Sequence, residues 1–284
     1  MRTSVLSDEI SQDLGIAVDT AVEFGFDGLE IRSVDGCPPH ELEDAALRDI
    51  RRALADAGLA ISAFCPPALK VRLPQSASDR ASAARIVQRA VEQAKLLDTE
   101  HVRIFSFLRT GNEPEPDRAA AEARLVLAAV EVPQGVQLVL ETGTRSNTPT
   151  VATAARFLQV LGAADMGILW DPGNSAFSGI APRPFPVDFA VAPQRIVHVH
   201  VKDPQATERY VRLGDGDLPW PEILRGLADR KYNGWLTLET HWRHDRDLSP
   251  SERDEPWGYG VSAGGLEASR ECMAILRTWL AGLS

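Results

Sequence analysis

The chain has 284 residues, of which 44% are hydrophobic and 25% charged, and this composition excludes a disordered, collagen-like or coiled-coil protein. Its 30 lysines and arginines against 40 aspartates and glutamates give a formal charge of −10, which argues against general nucleic-acid binding. No apolar run approaches the roughly 18 residues of a membrane span, and the opening MRTSVLSDEISQD lacks an apolar signal region, so we expect a cytoplasmic protein without a membrane partner.

Short runs rich in apolar and β-branched residues alternate along the chain with longer amphipathic segments. We predict eight strands, over residues 3–6, 28–32, 59–65, 101–107, 136–142, 166–171, 196–202 and 235–241. The clearest helices cover 41–57 and 81–97, where apolar residues recur every three or four positions. Ser76 and Thr148, the latter followed by Pro149, are candidate N-caps, and Gly162 is a candidate C-cap.

This alternation predicts a parallel sheet, because parallel neighbours are joined by crossovers that usually contain a helix. Eight such units in a chain of this length indicate a single (β/α)8 TIM-barrel domain over residues 1–284. A doubly wound sheet is the alternative, but the chain has neither a GxGxxG nor a Walker A pattern. The polar segment 245–265 follows the last strand, and we expect it to form a loop over the barrel mouth.

Acidic residues and histidines, which are candidates for catalysis or metal binding, lie at the carboxyl ends of four consecutive strands. The active sites of such barrels are found at these strand ends. These residues are Glu141 on strand five, Asp171 on strand six, His198 and His200 on strand seven, and Glu239 and His241 on strand eight. Side chains alternate along a strand, and the intervening valines and leucines should face the helices. The histidines and glutamates are therefore predicted to point into the barrel.

Carboxylates that converge in a desolvated interior repel one another unless a cation lies between them. The pattern therefore predicts one divalent metal ion, held by Glu141, Asp171, His200 and Glu239. This oxygen-rich set with one imidazole suits Mn²⁺, Mg²⁺, Co²⁺ or Zn²⁺. The three cysteines lie far apart and form no CxxC motif, so neither a disulfide framework nor a structural zinc cluster is indicated.

Four further residues near these strand ends are candidates for substrate binding: Asn174, His198, Lys202 and His241. His198 lies one layer deeper than His200, so we interpret it as a structural or supporting residue of that group. Lys202 could pair with a substrate carboxylate or phosphate, or it could be a solvated rim lysine. Glu30 and Arg32 end strand two and could line the site, but a structural ion pair is the favoured interpretation.

Several motifs resemble those of the xylose-isomerase-like barrel superfamily and, more narrowly, its sugar phosphate isomerase/epimerase branch. They are GFDGLEIR (25–32), LVLETG (138–143), ILWDPGN (168–174), HVHVKD (198–203), LGDGDLPW (213–220) and LTLETH (236–241). That branch includes ketose 3-epimerases, hydroxypyruvate isomerases, inosose dehydratases and 3-dehydroshikimate dehydratases. The resemblance implies the single metal site described above, with Glu141 and Glu239 also acting as acid/base residues on opposite faces of the substrate.

The function that this resemblance implies is a metal-dependent isomerase or epimerase of a small polyhydroxy carbonyl compound, acting through an enediolate. A metal-dependent dehydratase is the alternative, and a barrel that binds a sugar-like ligand without turnover is a third interpretation. Gly143 and Asn174 stand where many relatives carry histidines, which weakens assignment to the tagatose-type epimerases. His241 follows Glu239 by two residues, whereas Glu141 has no such neighbour, so Glu239 is predicted to be the more important base.

The DNA-repair branch of the superfamily, endonuclease IV, holds three zinc ions with extra histidines on strands three and four. Strand three of this chain ends in Phe64-Cys65 and strand four in Phe105-Ser106-Phe107, so those ligands are missing. We therefore expect a small sugar-like molecule as the partner and no nucleic acid. The chain could also form a homodimer.

Overall fold

The computed structural model describes residues 1–283, and within this range eight parallel strands form a closed barrel. They are β1 (Arg2–Leu6), β2 (Gly28–Ile31), β3 (Ala60–Phe64), β4 (His101–Ile104), β5 (Gln137–Glu141), β6 (Gly167–Trp170), β7 (Ile196–Val201) and β10 (Trp235–Leu238). Each barrel strand pairs with its neighbour in chain order, and β1 pairs with β10 to close the barrel. The predicted (β/α)8 barrel is confirmed.

Helices surround the barrel and cover it with their apolar faces. They are α1 (Ser7–Ile10), α2 (Leu14–Glu23), α3 (Asp44–Asp56), α4 (Ala77–Leu97), α5 (Pro116–Leu127), α6 (Val151–Leu161), α7 (Pro172–Phe177), α8 (Trp220–Asp229), α9 (Pro250–Asp254), α10 (Tyr259–Ser262) and α11 (Gly265–Ala281). Short 3₁₀ turns cover Pro39–Glu41, Phe189–Val191 and Pro193–Arg195. Over the stretch that the structure describes, no helix has the length and apolarity that a membrane crossing requires.

The helix caps follow from local hydrogen bonding. The Ser76 hydroxyl accepts a hydrogen bond from the Asp79 amide at 3.1 Å, which caps α4 as predicted. Helix α6 begins after Thr150, whose hydroxyl accepts from the Thr153 amide, so the expected cap at Thr148 is wrong. Gly162 ends that helix with a φ of 79°, the left-handed conformation that glycine adopts at little cost.

The seven barrel strands after β1 all end one to three residues earlier than predicted, and at β7 and β10 this leaves polar side chains at the mouth. Strand β7 ends at Val201 and β10 at Leu238, so Lys202, Glu239 and His241 lie just beyond them. His241 has a φ of 48°, a left-handed backbone conformation that departs from an extended strand.

An antiparallel hairpin of β8 (Asp203–Gln205) and β9 (Arg209–Val211) follows β7 and was not predicted. The Asp203 carboxylate accepts hydrogen bonds from the backbone amides of Gly214, Gly216 and Leu218, which fixes the loop after the hairpin. The segment 245–265 contains α9 and α10, and residues of α9 line the cavity at the barrel mouth. Its predicted position over the mouth is therefore confirmed.

The apolar core lies between the barrel and the helices, whereas the barrel interior below the mouth contains a polar chain of contacts. The hydroxyls of Ser4 and Thr237 are 2.6 Å apart, and Thr237 Oγ1 lies 2.6 Å from Nε2 of His198. Since Ser4, Thr237 and His198 are fully buried, their polar atoms depend on one another for hydrogen bonding.

Candidate metal centre

Four consecutive barrel strands bring one potential metal ligand each to the same place. The ligands are Glu141 at the end of β5, Asp171 between β6 and α7, His200 on β7, and Glu239 just after β10. One ligand atom from each lies within 4.8 Å of those of the others, and all four residues are buried. The structure therefore brings together the four residues that the strand ends indicated.

Oδ2 of Asp171 and Nδ1 of His200 have no partner with good hydrogen-bond geometry among residues 1–283, although the Lys202 ammonium lies 2.8 Å from that Asp171 oxygen. From Nδ1 of His200, the nearest oxygen of Glu239 is 3.2 Å away, and those of Glu141 and Asp171 are each 3.7 Å away. Buried polar atoms without partners are costly, and here they face a common point. The donor set therefore fits a divalent cation, with carboxylate oxygens and one imidazole nitrogen as ligands.

Glu30 sets the orientation of the His200 ring. Its Oε1 lies 2.8 Å from Nε2 of His200 and accepts a hydrogen bond from the Cys65 thiol, and its Oε2 lies 2.8 Å from Nε2 of His198. A proton on Nε2 of His200 leaves the lone pair on Nδ1, which faces the other ligands. Glu30 is therefore a support of the metal centre, and the expected ion pair with Arg32 is wrong.

The surroundings of His200 favour a positive charge on or near its ring. Burial by itself lowers the pKa of His200, but Glu30 and hydrogen bonds with Asp171, Glu141 and Glu239 raise that pKa well above its usual range. A proton on Nδ1 and a divalent cation would occupy the same place, so we expect them to compete.

Arg103 and Asn174 hold the two oxygens of Glu141. Nη1 of Arg103 donates to Oε2 at 3.0 Å, and the Asn174 amide donates to Oε1 at 2.9 Å. Burial tends to raise the pKa of Glu141, but Arg103 and a hydrogen bond with His200 lower it to about 2. The sequence prediction did not include Arg103. A charged residue within a predicted, buried barrel strand could have indicated it, because such a residue needs a charged or polar partner inside the barrel.

Three cationic or basic side chains surround Glu239. Nη1 of Arg32 donates to its Oε1 at 2.6 Å, Nζ of Lys202 contacts its Oε2, and Nε2 of His241 lies 3.7 Å from Oε1. Burial would raise the pKa of Glu239, but Lys202, His241 and His200 hold it well below its usual range. Glu239 is therefore ionised at neutral pH.

A further buried acid, Glu9, orients His241 and shares Arg32. Its Oε1 lies 2.7 Å from Nδ1 of His241 and 2.8 Å from Nη2 of Arg32, whose Nε donates to Asp8 at 3.0 Å. Arg32 thus makes structural ion pairs and also contacts the metal centre, so the two interpretations of this residue hold together.

Lys202 is buried rather than solvated. Its Nζ lies 2.8 Å from Oδ2 of Asp171, contacts Glu239 and stands 5.3 Å from the centre of the Tyr210 ring. Two carboxylates therefore already compensate the charge that could have bound a substrate anion.

A cavity of about 300 Å³ opens above these groups at the barrel mouth. Among the candidate substrate-binding residues, Asn174, Lys202 and His241 line it, whereas His198 is fully buried beneath His200 and does not. Tyr210 from β9 also lines the cavity and donates from its hydroxyl to Oδ1 of Asn174 at 3.3 Å. Nothing in the sequence pattern had singled out Tyr210, because the hairpin that carries it was not predicted.

Comparison with known proteins gives a family model, "Xylose isomerase-like TIM barrel", that matches residues 18–263. The chain is 24% identical over 242 residues to D-psicose 3-epimerase of Agrobacterium fabrum, a match that covers 81% of this chain and 80% of that protein. It is 37% identical over 102 residues to the rhizopine catabolism protein MocC of Rhizobium meliloti, and that match spans 30% of each protein. A crystal structure of a D-tagatose 3-epimerase-like protein has a TM-score of 0.72 at 19% identity and covers 100% of this chain and 98% of its own, which shows a shared fold.

Proposed function

The chain belongs to the family of xylose isomerase-like TIM barrels, and on that premise we propose that it is a divalent-metal-dependent isomerase or epimerase of a small polyhydroxy carbonyl compound. The observation that supports this reaction most strongly is the placement of two buried glutamates, Glu141 and Glu239, within 4.8 Å of ligand atoms of Asp171 and His200. Both glutamates line the cavity, so each can reach a bound molecule.

Glu141, Asp171, His200 and Glu239 would hold the metal ion. The ion would polarise a carbonyl group and a neighbouring hydroxyl group, and would thereby acidify the C–H bond between them. The chain's own residues then have to move protons and stabilise negative charge.

Glu239 is suited to accept the proton from carbon. Because Glu9 holds Nδ1 of His241, the neutral ring has its lone pair on Nε2, which lies 3.7 Å from Oε1 of Glu239. His241 can therefore receive a proton from Glu239 or return one to it. Arg32 keeps the carboxylate in place while the proton moves, since it also has Asp8 and Glu9 as partners.

Glu141 is the candidate for the second proton transfer. The Asn174 amide and Arg103 fix the orientation of its two oxygens, so that the carboxylate presents a defined edge to the cavity. The Lys202 ammonium lies within the site and holds the carboxylates of Asp171 and Glu239 in place through its contacts with both. Protonation of the same carbon on its opposite face gives an epimer, and protonation of the neighbouring carbon gives an isomer.

Incubation of the metal-loaded protein with ketoses and cyclic polyols in deuterated water tests the proposal. An isomerase or epimerase incorporates deuterium into the sugar without loss of water, whereas a dehydratase of the inosose or 3-dehydroshikimate type forms an absorbing enone. A Glu141→Gln/Glu239→Gln double variant is the control. Turnover that is unchanged in this variant, or absent in the wild type for every compound, would contradict acid–base catalysis by these glutamates and favour a sugar-binding barrel.

A further inference from the structure

The outer part of the cavity is positively charged, although the chain as a whole carries a formal charge of −10. Besides His241 and Tyr210, the ionisable side chains that line the cavity are the cations Lys70, Arg103, Arg109, Arg145, Lys202 and Arg253 and the anions Glu141, Glu239 and Asp254. Two of these anions, Glu141 and Glu239, belong to the metal centre and have Arg103 and Lys202 as partners. The remaining cations therefore share the single carboxylate of Asp254 within this lining.

Lys70 is the most unusual of these cations. Its ammonium donates to the backbone carbonyl of Asp254, but within residues 1–283 no carboxylate oxygen lies within 4.0 Å of its Nζ. Burial, and then repulsion by Arg103, lower the pKa of Lys70 to about 8. A half-buried ammonium without a carboxylate partner is partly desolvated, so an external counterion is expected to stabilise it.

Arg109 and Arg145 stand beside Lys70 at the mouth. Both Lys70 and Arg145 contact Asp254, the former through the backbone carbonyl and the latter through the carboxylate. The Arg109 backbone amide donates to the Arg145 carbonyl at 2.8 Å, and its guanidinium donates to the carbonyls of Asn112 and Thr144. In the described chain Arg109 has no carboxylate within salt-bridge distance.

One wall of the cavity connects this group to the metal centre. Two cations pack against the Phe105 ring: Nζ of Lys70 lies 5.2 Å from the ring centre, and the Arg103 guanidinium lies 4.6 Å from it. Arg103 in turn donates to Glu141, while its buried Nε has no hydrogen-bond partner in the residues that are described. The cationic wall therefore runs from Glu141 outward along one side of a single cavity.

We propose that Lys70, Arg109 and Arg145, here called the basic rim cluster, bind a carboxylate or phosphate group of the substrate. This inference rests on the proposed function, since it names the class of the polyhydroxy carbonyl compound as an anionic one. The reacting carbonyl then lies at the metal centre, and the anionic group lies at the outer end of the same cavity. Lys202 does not fill this role, because Asp171 and Glu239 already surround its ammonium.

Calorimetric titration of the metal-loaded full chain with inorganic phosphate, and separately with malonate, tests the cluster directly. We expect saturable binding of at least one of these anions, and a dissociation constant that rises about tenfold or more in Lys70→Met and in Arg145→Gln. Arg156→Gln is the matched control, because Arg156 also pairs with an aspartate but lies on the exposed face of α6. No binding of either anion, or equal binding by all four proteins, overturns the inference.

Lys70→Met also separates ligand binding from a structural role. Removal of a half-buried charge without a carboxylate partner should leave the melting temperature of the anion-free protein unchanged or higher. The increase in melting temperature that phosphate or malonate gives to the wild type should disappear in the variant. A large fall in melting temperature without anion, with the anion-dependent increase retained, would mean that Lys70 is structural and would overturn its role here.

Deuterium exchange then identifies the source of the anionic group. The probes are D-fructose, D-fructose 6-phosphate and D-fructuronate, which share a ketose unit and differ in their far end. A tenfold or greater preference in kcat/KM for the phosphate or the carboxylate that is lost in Lys70→Met supports anion binding by the basic rim cluster. It also identifies which of the two anionic groups the cluster binds. Equal exchange with all three overturns it while leaving the proposed function intact. Absence of exchange in all three counts against the reaction, and the anion titration still decides the cluster.

Discussion

Nε2 of His200 lies 2.8 Å from Oε1 of Glu30, although Glu30 precedes His200 by 170 positions in the chain. This contact places the proton of the neutral ring on Nε2 and leaves Nδ1 facing Glu141, Asp171 and Glu239. A carboxylate behind a histidine ligand fixes the ring and makes its free nitrogen more basic. The affinity of the centre for a metal ion should therefore depend on a residue that never touches the ion.

Glu30→Gln tests this dependence. The amide keeps the size of the side chain but removes the charge, so affinity for the divalent ion should fall about 10- to 100-fold while the fold is kept. Competition with a chromophoric chelator measures the affinity. The matched control is Cys65→Ala, which removes the thiol that donates a hydrogen bond to the same carboxylate. Wild-type affinity in Glu30→Gln would show that the Glu30–His200 contact has no part in metal binding.

The metal content of the purified protein gives a second prediction. We expect close to one divalent ion per chain by elemental analysis, and loss of activity on chelation. Asp171→Ala and His200→Ala each remove one of the four convergent ligand atoms, so both should empty the site. Full occupancy in both variants would refute the ligand assignment.

The two glutamates of the centre should differ in their contribution to catalysis. Either Gln variant should lose about 10²- to 10⁴-fold in kcat if its glutamate transfers a proton. We expect the larger loss for Glu239→Gln, because His241 lies 3.7 Å from its Oε1 and can relay the proton, whereas Glu141 is held by Arg103 and Asn174. Solvent deuterium exchange in both variants decides the matter, and wild-type exchange in Glu239→Gln would make that residue a ligand without a proton-transfer role.

The lowered pKa of Lys70 predicts that its contribution to the free energy of unfolding increases with pH. Its pKa is about 8 in the folded chain against an ordinary 10.5, so between these pH values the unfolded chain binds more protons. The contribution of Lys70 to the free energy of unfolding therefore rises with pH from 8 to 10.5 and is constant and unfavourable below 8. Lys70→Met should be more stable than the wild type at pH 7, and the difference should shrink by pH 10.

Urea denaturation of both proteins at pH 7 and pH 10 measures that difference. Lys95→Met, a lysine variant on α4, controls for the general effect of losing a positive charge. A Lys70→Met difference that is the same at both pH values would contradict the assigned burial of the ammonium.

The strand ends of the barrel could be predicted from sequence because two rules act together. Parallel strands of a barrel end at the same face, and alternation along each strand selects the inward side. These rules by themselves predict that Glu141, Asp171 and His200 lie together with Glu239 at one end of the barrel. The register between strands is not needed for this step, since every strand end contributes to the same mouth.

The partners of those ligands could not be predicted, because they depend on contacts across the barrel interior. Glu30 was assigned to Arg32 on sequence proximity, whereas in the structure Glu30 contacts His198 and His200 and Arg32 contacts Glu239. Lys70 lies in a loop with no periodic pattern, and Tyr210 lies in a hairpin that replaces part of a βα connection. Loops of this kind take their conformation from tertiary contacts that a local pattern does not encode.

The contact between Arg32 and Glu239 joins residues 207 positions apart, next to the pairing of β1 with β10. So long a separation means that the contact forms after most of the chain has been synthesised and the first and last strands have met. A nascent or truncated chain that stops before Glu239 lacks both the final ligand and the partner that Arg32 has there. Completion of the candidate metal centre is thus coupled to closure of the barrel.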